Sequence, residues 1–142
     1  MSNYETYKMK KKIFVLIILF LTSSTFAQVL KYKTKQFAHR NLINNEWSEW
    51  SEWEDVKIML TLDGEKERFT IYSNEIQIYD VAKVEEQTID KDGNEIYNFF
   101  CLTEDGSKCR IKHLFPKSPE HNMQLYIQFK DSEIVYNIYK FE

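Results

Sequence analysis

The sequence predicts an all-β fold, an antiparallel meander of about eight short strands in one domain. Apolar and polar residues alternate over most of the chain after residue 55, which is the two-residue period of strands with one buried face. Turn residues such as Asp63-Gly64 and Asp92-Gly93 separate the alternating runs, and these dipeptides favour tight hairpins. No run shows the period and the caps of a helix.

The alternation assigns a core face to each predicted strand. The first run covers residues 30–39 and places Lys31, Lys33 and Lys35 on its polar face. In the later runs the predicted core residues are Val56, Ile58, Leu60 and Leu62; Phe69 and Ile71; Ile76, Ile78, Ala82 and Val84; Met123, Leu125, Ile127 and Phe129; and Ile134, Tyr136 and Ile138. Asp80 interrupts the third set, where a bulge or a strand end is a better explanation than a functional site.

The clearest hairpin joins residues 96–103 to residues 109–115 through Glu104-Asp105-Gly106. Eight short strands must hide their edges, either by closing into a small barrel or by stacking as two sheets. Because tight turns connect consecutive strands, the pattern favours an up-and-down, lipocalin-like barrel, and a β-sandwich is the alternative. Residues 28–142 are predicted to form this single domain, since a chain of that length can bury one core.

Cys101 and Cys109 are the only cysteines of the chain. With a three-residue turn between their strands, the two residues fall directly opposite each other, about 4.5 to 5.5 Å apart at Cα, which a disulfide tolerates. We therefore predict a possible disulfide, with a pair of buried thiols as the alternative. A nucleophilic cysteine is not expected, because nothing nearby supplies a clear environment that would lower a thiol pKa.

Residues 1–27 have the three parts of a cleavable export signal. Lys8 to Lys12 supply the charged region, residues 13–21 the apolar region, and the segment ending in Phe26-Ala27 the small-residue cleavage site. The apolar run spans about 14 Å as a helix, less than half of a bilayer core, so a permanent anchor is not predicted. The expected location is therefore periplasmic or extracellular, with no integral membrane segment in the mature chain.

The charge of the mature chain argues against nucleic acid as a partner. The chain has 19 basic and 22 acidic residues, and removal of residues 1–27 takes away four and one of them, which leaves a net charge of −6. Proteins that bind phosphate backbones carry a basic stripe or patch. This domain is expected to bind something else.

A tryptophan recurs every third residue in Trp47-Ser-Glu-Trp50-Ser-Glu-Trp53. In a regular strand Trp50 would point away from the other two, whereas in a polyproline II conformation all three would line one side. We predict Trp47, Trp50 and Trp53 as ligand- or partner-binding residues, because exposed aromatic rings stack on sugars or fill pockets of a partner. The alternative is that one or two of them cover an end of the barrel.

This segment resembles the W-S-x-W-S box of cytokine receptors and the W-S-x-W-S-x-W of thrombospondin type 1 repeats. The likeness covers seven residues, and the six cysteines and the arginine ladder of the repeats are missing here, so neither homology is assigned. In general appearance the chain is similar to small, uncharacterised exported β-proteins of Gram-negative bacteria. That resemblance implies the location and the fold, and it transfers no functional residue.

No metal or cofactor site is predicted. Asp90-Lys-Asp-Gly-Asn-Glu95 begins like a calcium-binding EF-hand loop, but its sixth and twelfth positions are Glu95 and Cys101 instead of glycine and glutamate. A β-turn at Asp92-Gly93 explains the segment better. His113 lacks partners at zinc-ligand spacing and is expected to be a packed core residue.

The leading functional hypothesis is an exported, non-enzymatic binding or interaction module. Its ligand would be a small apolar molecule, a glycan or another envelope protein, bound at a barrel mouth or at the three tryptophans. The alternatives are a hydrolase-like enzyme with dispersed residues around Asp80, His113 or His121, and a structural component of the cell envelope.

Overall fold

The computed structural model describes residues 28–141, so the predicted export signal lies outside the described residues. Eight strands close into an antiparallel barrel, because the last strand pairs back onto the first. In order around the wall they are β1 (Val29–Ile43), β4 (Met59–Asp63), β5 (Arg68–Tyr72), β6 (Ile76–Val84), β8 (Glu95–Thr103), β9 (Lys108–Phe115), β10 (Met123–Gln128) and β11 (Ser132–Lys140). Three two-residue strands are β2 (Glu46–Trp47), β3 (Glu54–Asp55) and β7 (Thr88–Ile89). The predicted up-and-down barrel is confirmed.

The barrel interior is filled by apolar side chains from all eight strands of the wall. The buried core comprises Tyr32, Leu60, Phe69, Ile71, Tyr79, Cys101, Cys109, Ile111, Leu125, Ile127, Tyr136 and Ile138. Burial of one large apolar side chain contributes roughly 1.5–3 kcal/mol, so this cluster is the main force that closes the wall. The core faces predicted for β4, β5, β10 and β11 are confirmed.

The β8–β9 hairpin has the predicted register. Cys101 pairs with Cys109 across the two strands, and Gly106 takes the positive φ of +83° that its turn requires. Both cysteines are buried, and the structure holds them as free thiols. The hydrogen bond between the two thiols, together with burial, raises the pKa of the Cys101 thiol, whereas the same hydrogen bond lowers the pKa of the Cys109 thiol.

The face predicted for β6 is wrong. Tyr79 points into the core, whereas Ile76 and Val84 are 59% and 67% exposed. Asp80 therefore lies on the outer face, where its carboxylate binds the Arg68 guanidinium at 2.7 Å. A register shift between Val81 and Lys83 lies just after this residue. Tyr79 is 4% exposed and Val81 packs against the core, so burial of the large aromatic ring favours this face over the one with Ile76 and Val84.

β1 is longer than the sequence predicted and continues into a second hairpin. Its partner across the turn is β2, and the turn residues Asn44 and Asn45 have φ of +53° and +64°. Two consecutive positive φ values define a type I′ turn, a conformation that asparagine tolerates. Within residues 28–141, no helix has the length and apolarity needed to cross a membrane.

Candidate functional site

The tryptophan segment, residues 46–55, runs antiparallel to the C-terminal half of β1 with an irregular register. Trp47 pairs with Leu42 and Glu54 pairs with Phe37, so seven steps along the segment match five steps along β1. The segment therefore contains two extra residues, as bulged strands do. This departure from the two-residue period lets every third side chain occupy the same side.

Two serines hold the irregular register in place. The backbone N–H of Ser48 donates to the Asn41 carbonyl, and the Asn41 N–H donates to the Ser48 hydroxyl. Ser51 makes the same pair of bonds with His39, at 2.8 and 2.9 Å. Each serine hydroxyl replaces a backbone carbonyl that the bulge has moved away, which satisfies the β1 amides. Each three-residue W-S-E repeat of the segment is thus paired with two residues of β1.

The three indole rings lie on the outer side of the barrel wall. The Arg40 guanidinium carbon lies 4.9 Å from the Trp47 ring centre and 4.6 Å from the Trp50 ring centre. Trp50 is 37% exposed and Trp53 is 44% exposed. None of the three tryptophans belongs to the buried core cluster of the described residues.

A buried ion pair fixes Arg40 between the rings. Nε and Nη2 of Arg40 donate to one carboxylate oxygen of Glu133 at 2.9 and 2.7 Å. Glu133 lies on the outer face of β11 and is only 4% exposed. A buried carboxylate needs its partner, and the cation also attracts the two indole faces. The pair therefore positions Trp50 on the outer wall.

Trp53 forms one wall of an open cavity of about 390 Å³, here called the Trp53 cavity. Four side-chain amides line it: Asn94, Asn122, Gln124 and Asn137. The remaining lining residues are Leu114, Pro116, Glu120 and His121. They come from the outer faces of β9, β10 and β11 and from the two loops at the adjacent end of the barrel. The cavity combines one aromatic face with many hydrogen-bonding groups.

A second cavity of about 310 Å³, the Trp50 cavity, adjoins the first at Leu114. Trp50 lies at its side and meets the Tyr126 ring edge to face, with centroids 6.1 Å apart. Its charged lining residues are Arg40, Glu133, Lys112 and Asp90. Leu114 lines both cavities on the outer wall, and we call the two together the tryptophan groove.

A chain of hydrogen bonds connects the floor of the groove to the tryptophan segment. The Tyr126 hydroxyl donates to the Gln124 carbonyl oxygen at 2.8 Å, and the Gln124 amide donates to Asn137 at 2.9 Å. Asn137 then donates to Gln36, and Gln36 to Asp55 of β3, each at 3.4 Å. Each amide in this chain still has donor or acceptor capacity for a ligand. These hydrogen bonds therefore hold the amides in place and leave part of their hydrogen-bonding capacity free for a ligand.

Local contacts also set the protonation of the groove. The hydrogen bond from the Asn94 amide is the largest of several that lower the pKa of the Asp90 carboxyl. Burial, with a contribution from the Glu133 carboxylate, raises the pKa of the Tyr126 hydroxyl. At neutral pH the Trp50 cavity therefore offers a carboxylate and an intact phenol.

The residues of the enzyme hypothesis do not come together. Asp80 lies outside the wall, whereas His113 lies inside it, 3.2 Å from the Met123 sulfur and packed on Phe115. Burial lowers the pKa of His113 to about 4. His121 lines the Trp53 cavity. Within the described part of the chain, no group of three or more His, Cys, Asp or Glu side chains is placed to hold a metal ion.

Asp90 forms the turn that the sequence predicts at Asp92-Gly93. Its carboxylate accepts hydrogen bonds from the N–H groups of Asp92 and Asn94, and Gly93 takes a φ of +84°. The predicted turn is confirmed.

The groove contains residues that the sequence did not single out. Gln124 and Asn137 are outward positions of strands, and Asn94 and Asn122 belong to loops, so all four read as ordinary solvent-facing residues. Arg40 lies between the Trp47 and Trp50 rings in the structure but seven residues before Trp47 in the sequence, so its role could not be seen from the sequence alone. Knowledge of the barrel register was needed to bring these groups together.

Comparison with known proteins identifies no relative of the chain. A scan against protein-family models and searches of curated proteins and of solved structures found no match.

Proposed function

We propose that this protein is an exported, non-enzymatic glycan-binding module and that the tryptophan groove is its binding site. The observation that carries the proposal is the placement of Trp53, 44% exposed, beside a cavity lined by four side-chain amides. The export signal predicted for residues 1–27 supports a location where free glycans and envelope polysaccharides occur.

The aromatic rings supply the apolar part of sugar recognition. A pyranose ring presents C–H groups on its faces, and these pack on the face of an indole with little loss of side-chain entropy. Trp50 and Trp53 lie in neighbouring cavities that share Leu114. The groove could therefore hold at least two adjacent sugar units.

The amides supply the polar part. A sugar hydroxyl both donates and accepts hydrogen bonds, and a side-chain amide offers both functions in one planar group. Asn94, Asn122, Gln124 and Asn137 surround the Trp53 cavity. A site with four amides is suited to a ligand rich in hydroxyls and much less suited to an apolar one.

Two features weigh against an apolar ligand in the barrel and against a hydrolase. Core side chains that are at most 6% exposed occupy the barrel interior, so a small apolar ligand would have to displace the packing that holds the barrel closed. The separation of Asp80 and His113 by the barrel wall deprives the hydrolase hypothesis of its candidate pair.

The test is a calorimetric titration of the protein with a panel of neutral and charged oligosaccharides. We expect at least one member to bind with a micromolar to millimolar Kd, and Trp53→Ala to weaken it about tenfold or more, as loss of a central aromatic anchor does. Tyr72→Ala is the matched control, because Tyr72 is 41% exposed on β5, away from the groove. Equal affinity of both variants, or no binding by any oligosaccharide, would overturn the proposal.

A further inference from the structure

The lining of the Trp53 cavity carries a negative charge. Glu120 contributes a carboxylate, and no lysine or arginine occurs among the described residues that line this cavity. Lys117, on the same loop, places its side chain over Gly93 of the neighbouring turn and is outside the lining.

The tryptophan segment carries further negative charge next to Trp53 in the sequence, outside the lining of the cavity. Glu52 and Glu54 are its sequence neighbours, and both are exposed. The three salt bridges found among the described residues involve Glu133, Asp80 and Glu85, so the carboxylates beside Trp53 keep their charge available. An acidic cleft attracts cations and repels anions. Uronic acids and other anionic sugars are therefore poor candidates for this cavity.

The Trp50 cavity differs in charge. Arg40 and Glu133 neutralise each other through their ion pair, and Asp90 faces the same cavity as Lys112. Selection by charge is therefore concentrated at the Trp53 end of the groove.

We propose that the ligand is a saccharide with free amino groups, a hexosamine oligomer, whose ammonium group binds at the Trp53 cavity beside Glu120. This inference rests on the proposed function of the groove. The ammonium would donate a charge-assisted hydrogen bond to the Glu120 carboxylate and gain attraction from the negative face of the Trp53 indole. The amides would hold the hydroxyls of the same sugar.

The experiment compares glucosamine oligosaccharides with N-acetylated oligosaccharides of the same length, in which the acetyl group removes the charge on nitrogen. Titrations at pH 6 and low salt are expected to give a Kd about tenfold lower for the free amine. The difference should shrink as salt is raised from about 20 to 500 mM, because the Debye length falls. Glu120→Gln should remove most of the preference, whereas Glu65→Gln, in the turn between β4 and β5, should leave it unchanged.

The outcomes separate the two proposals. Equal or tighter binding of the acetylated oligomer, or a preference that survives in Glu120→Gln, overturns the amino-sugar inference while the glycan-binding function stands. Failure of both oligomers to bind, with binding of a different neutral glycan that Trp53→Ala abolishes, likewise overturns the amino-sugar inference alone. Failure of every glycan overturns both proposals.

Discussion

Two regions of the barrel pair their strands in opposite ways. One is the wall formed by β8, β9 and β10, and the other is the tryptophan segment. In the wall, residues pair one to one from Glu95–Phe115 to Leu102–Lys108, and alternate side chains fill the barrel. In the tryptophan segment, seven steps match five, and the large aromatic side chains lie outside. Regular pairing therefore builds the core, and the irregular pairing places the tryptophans of the proposed binding surface.

The two regions also differ in what holds them. The wall is stabilised by apolar residues such as Ile111 and Ile127, which are 0% and 1% exposed. The segment is held by serine hydroxyls and by the ion pair between Arg40 and Glu133. Substitutions that remove a polar partner should therefore damage the segment more than comparable substitutions elsewhere on the outer surface.

The largest expected effect comes from Arg40→Met. This change leaves the Glu133 carboxylate, 4% exposed, without its partner, and loss of one member of a buried pair costs about 3–5 kcal/mol. Arg68→Met is the matched control, because its bond to Asp80 has the same 2.7 Å length but involves side chains 37% and 49% exposed. Water screens an exposed pair, so its loss should cost far less stability than the loss of the buried pair. Urea unfolding measures both, and equal losses of stability would contradict the role given to the buried pair.

A smaller effect is expected from His113 inside the barrel. Burial lowers its pKa from 6.5 to about 4, so the unfolded chain binds a proton that the folded barrel excludes. The stability due to the neutral ring is complete above about pH 6.5 and is lost as the pH falls towards 4, with a limit of about 3 kcal/mol. His113→Leu should flatten the pH dependence of unfolding over that range, and His39→Leu, at an exposed position, should not. A dependence that persists unchanged in His113→Leu would show that the ring is not buried.

The smallest effect is chemical and concerns Cys101 and Cys109. Because both thiols are buried in the wall, an alkylating reagent should modify neither of them in the native protein. If the protein is then denatured without a reductant and alkylated again, mass spectrometry should find two modified thiols, because the structure holds both cysteines as free thiols. Zero modified thiols would indicate the disulfide predicted from the register. Rapid modification of the native protein would contradict the packing described for the core.

The sequence predicted the barrel well where strands follow the two-residue period. The register of the β8–β9 hairpin followed from its turn residues, and the core faces of β4, β10 and β11 followed from alternation. The face of β6 was predicted wrongly because Ile76 and Val84 lie near exposed ends of the strand, and the shift after Val81 breaks the period. Alternation cannot identify a face at a bulge.

The site was predictable in part. The spacing of three drew attention to Trp47, Trp50 and Trp53, which would share one side in a polyproline II conformation, and the structure places all three outside the core cluster. The role of Arg40 and the amides of Gln124 and Asn137 depends on which strands become neighbours around a closed barrel. Since outward polar residues are common on every strand, their pattern does not show which of them a neighbouring segment will enclose.

The most direct test of the tryptophan groove is an NMR titration of the indole N–H signals. The chain has three tryptophans, and Trp→Phe variants assign their three signals. With a bound glucosamine oligosaccharide, we expect saturable shifts of the Trp50 and Trp53 indoles and of the Gln124 and Asn137 side-chain amides, with Ile111 in the core unmoved. Shifts confined to the opposite end of the barrel, or no indole shift with any oligosaccharide, would contradict the assignment of the groove as the binding site.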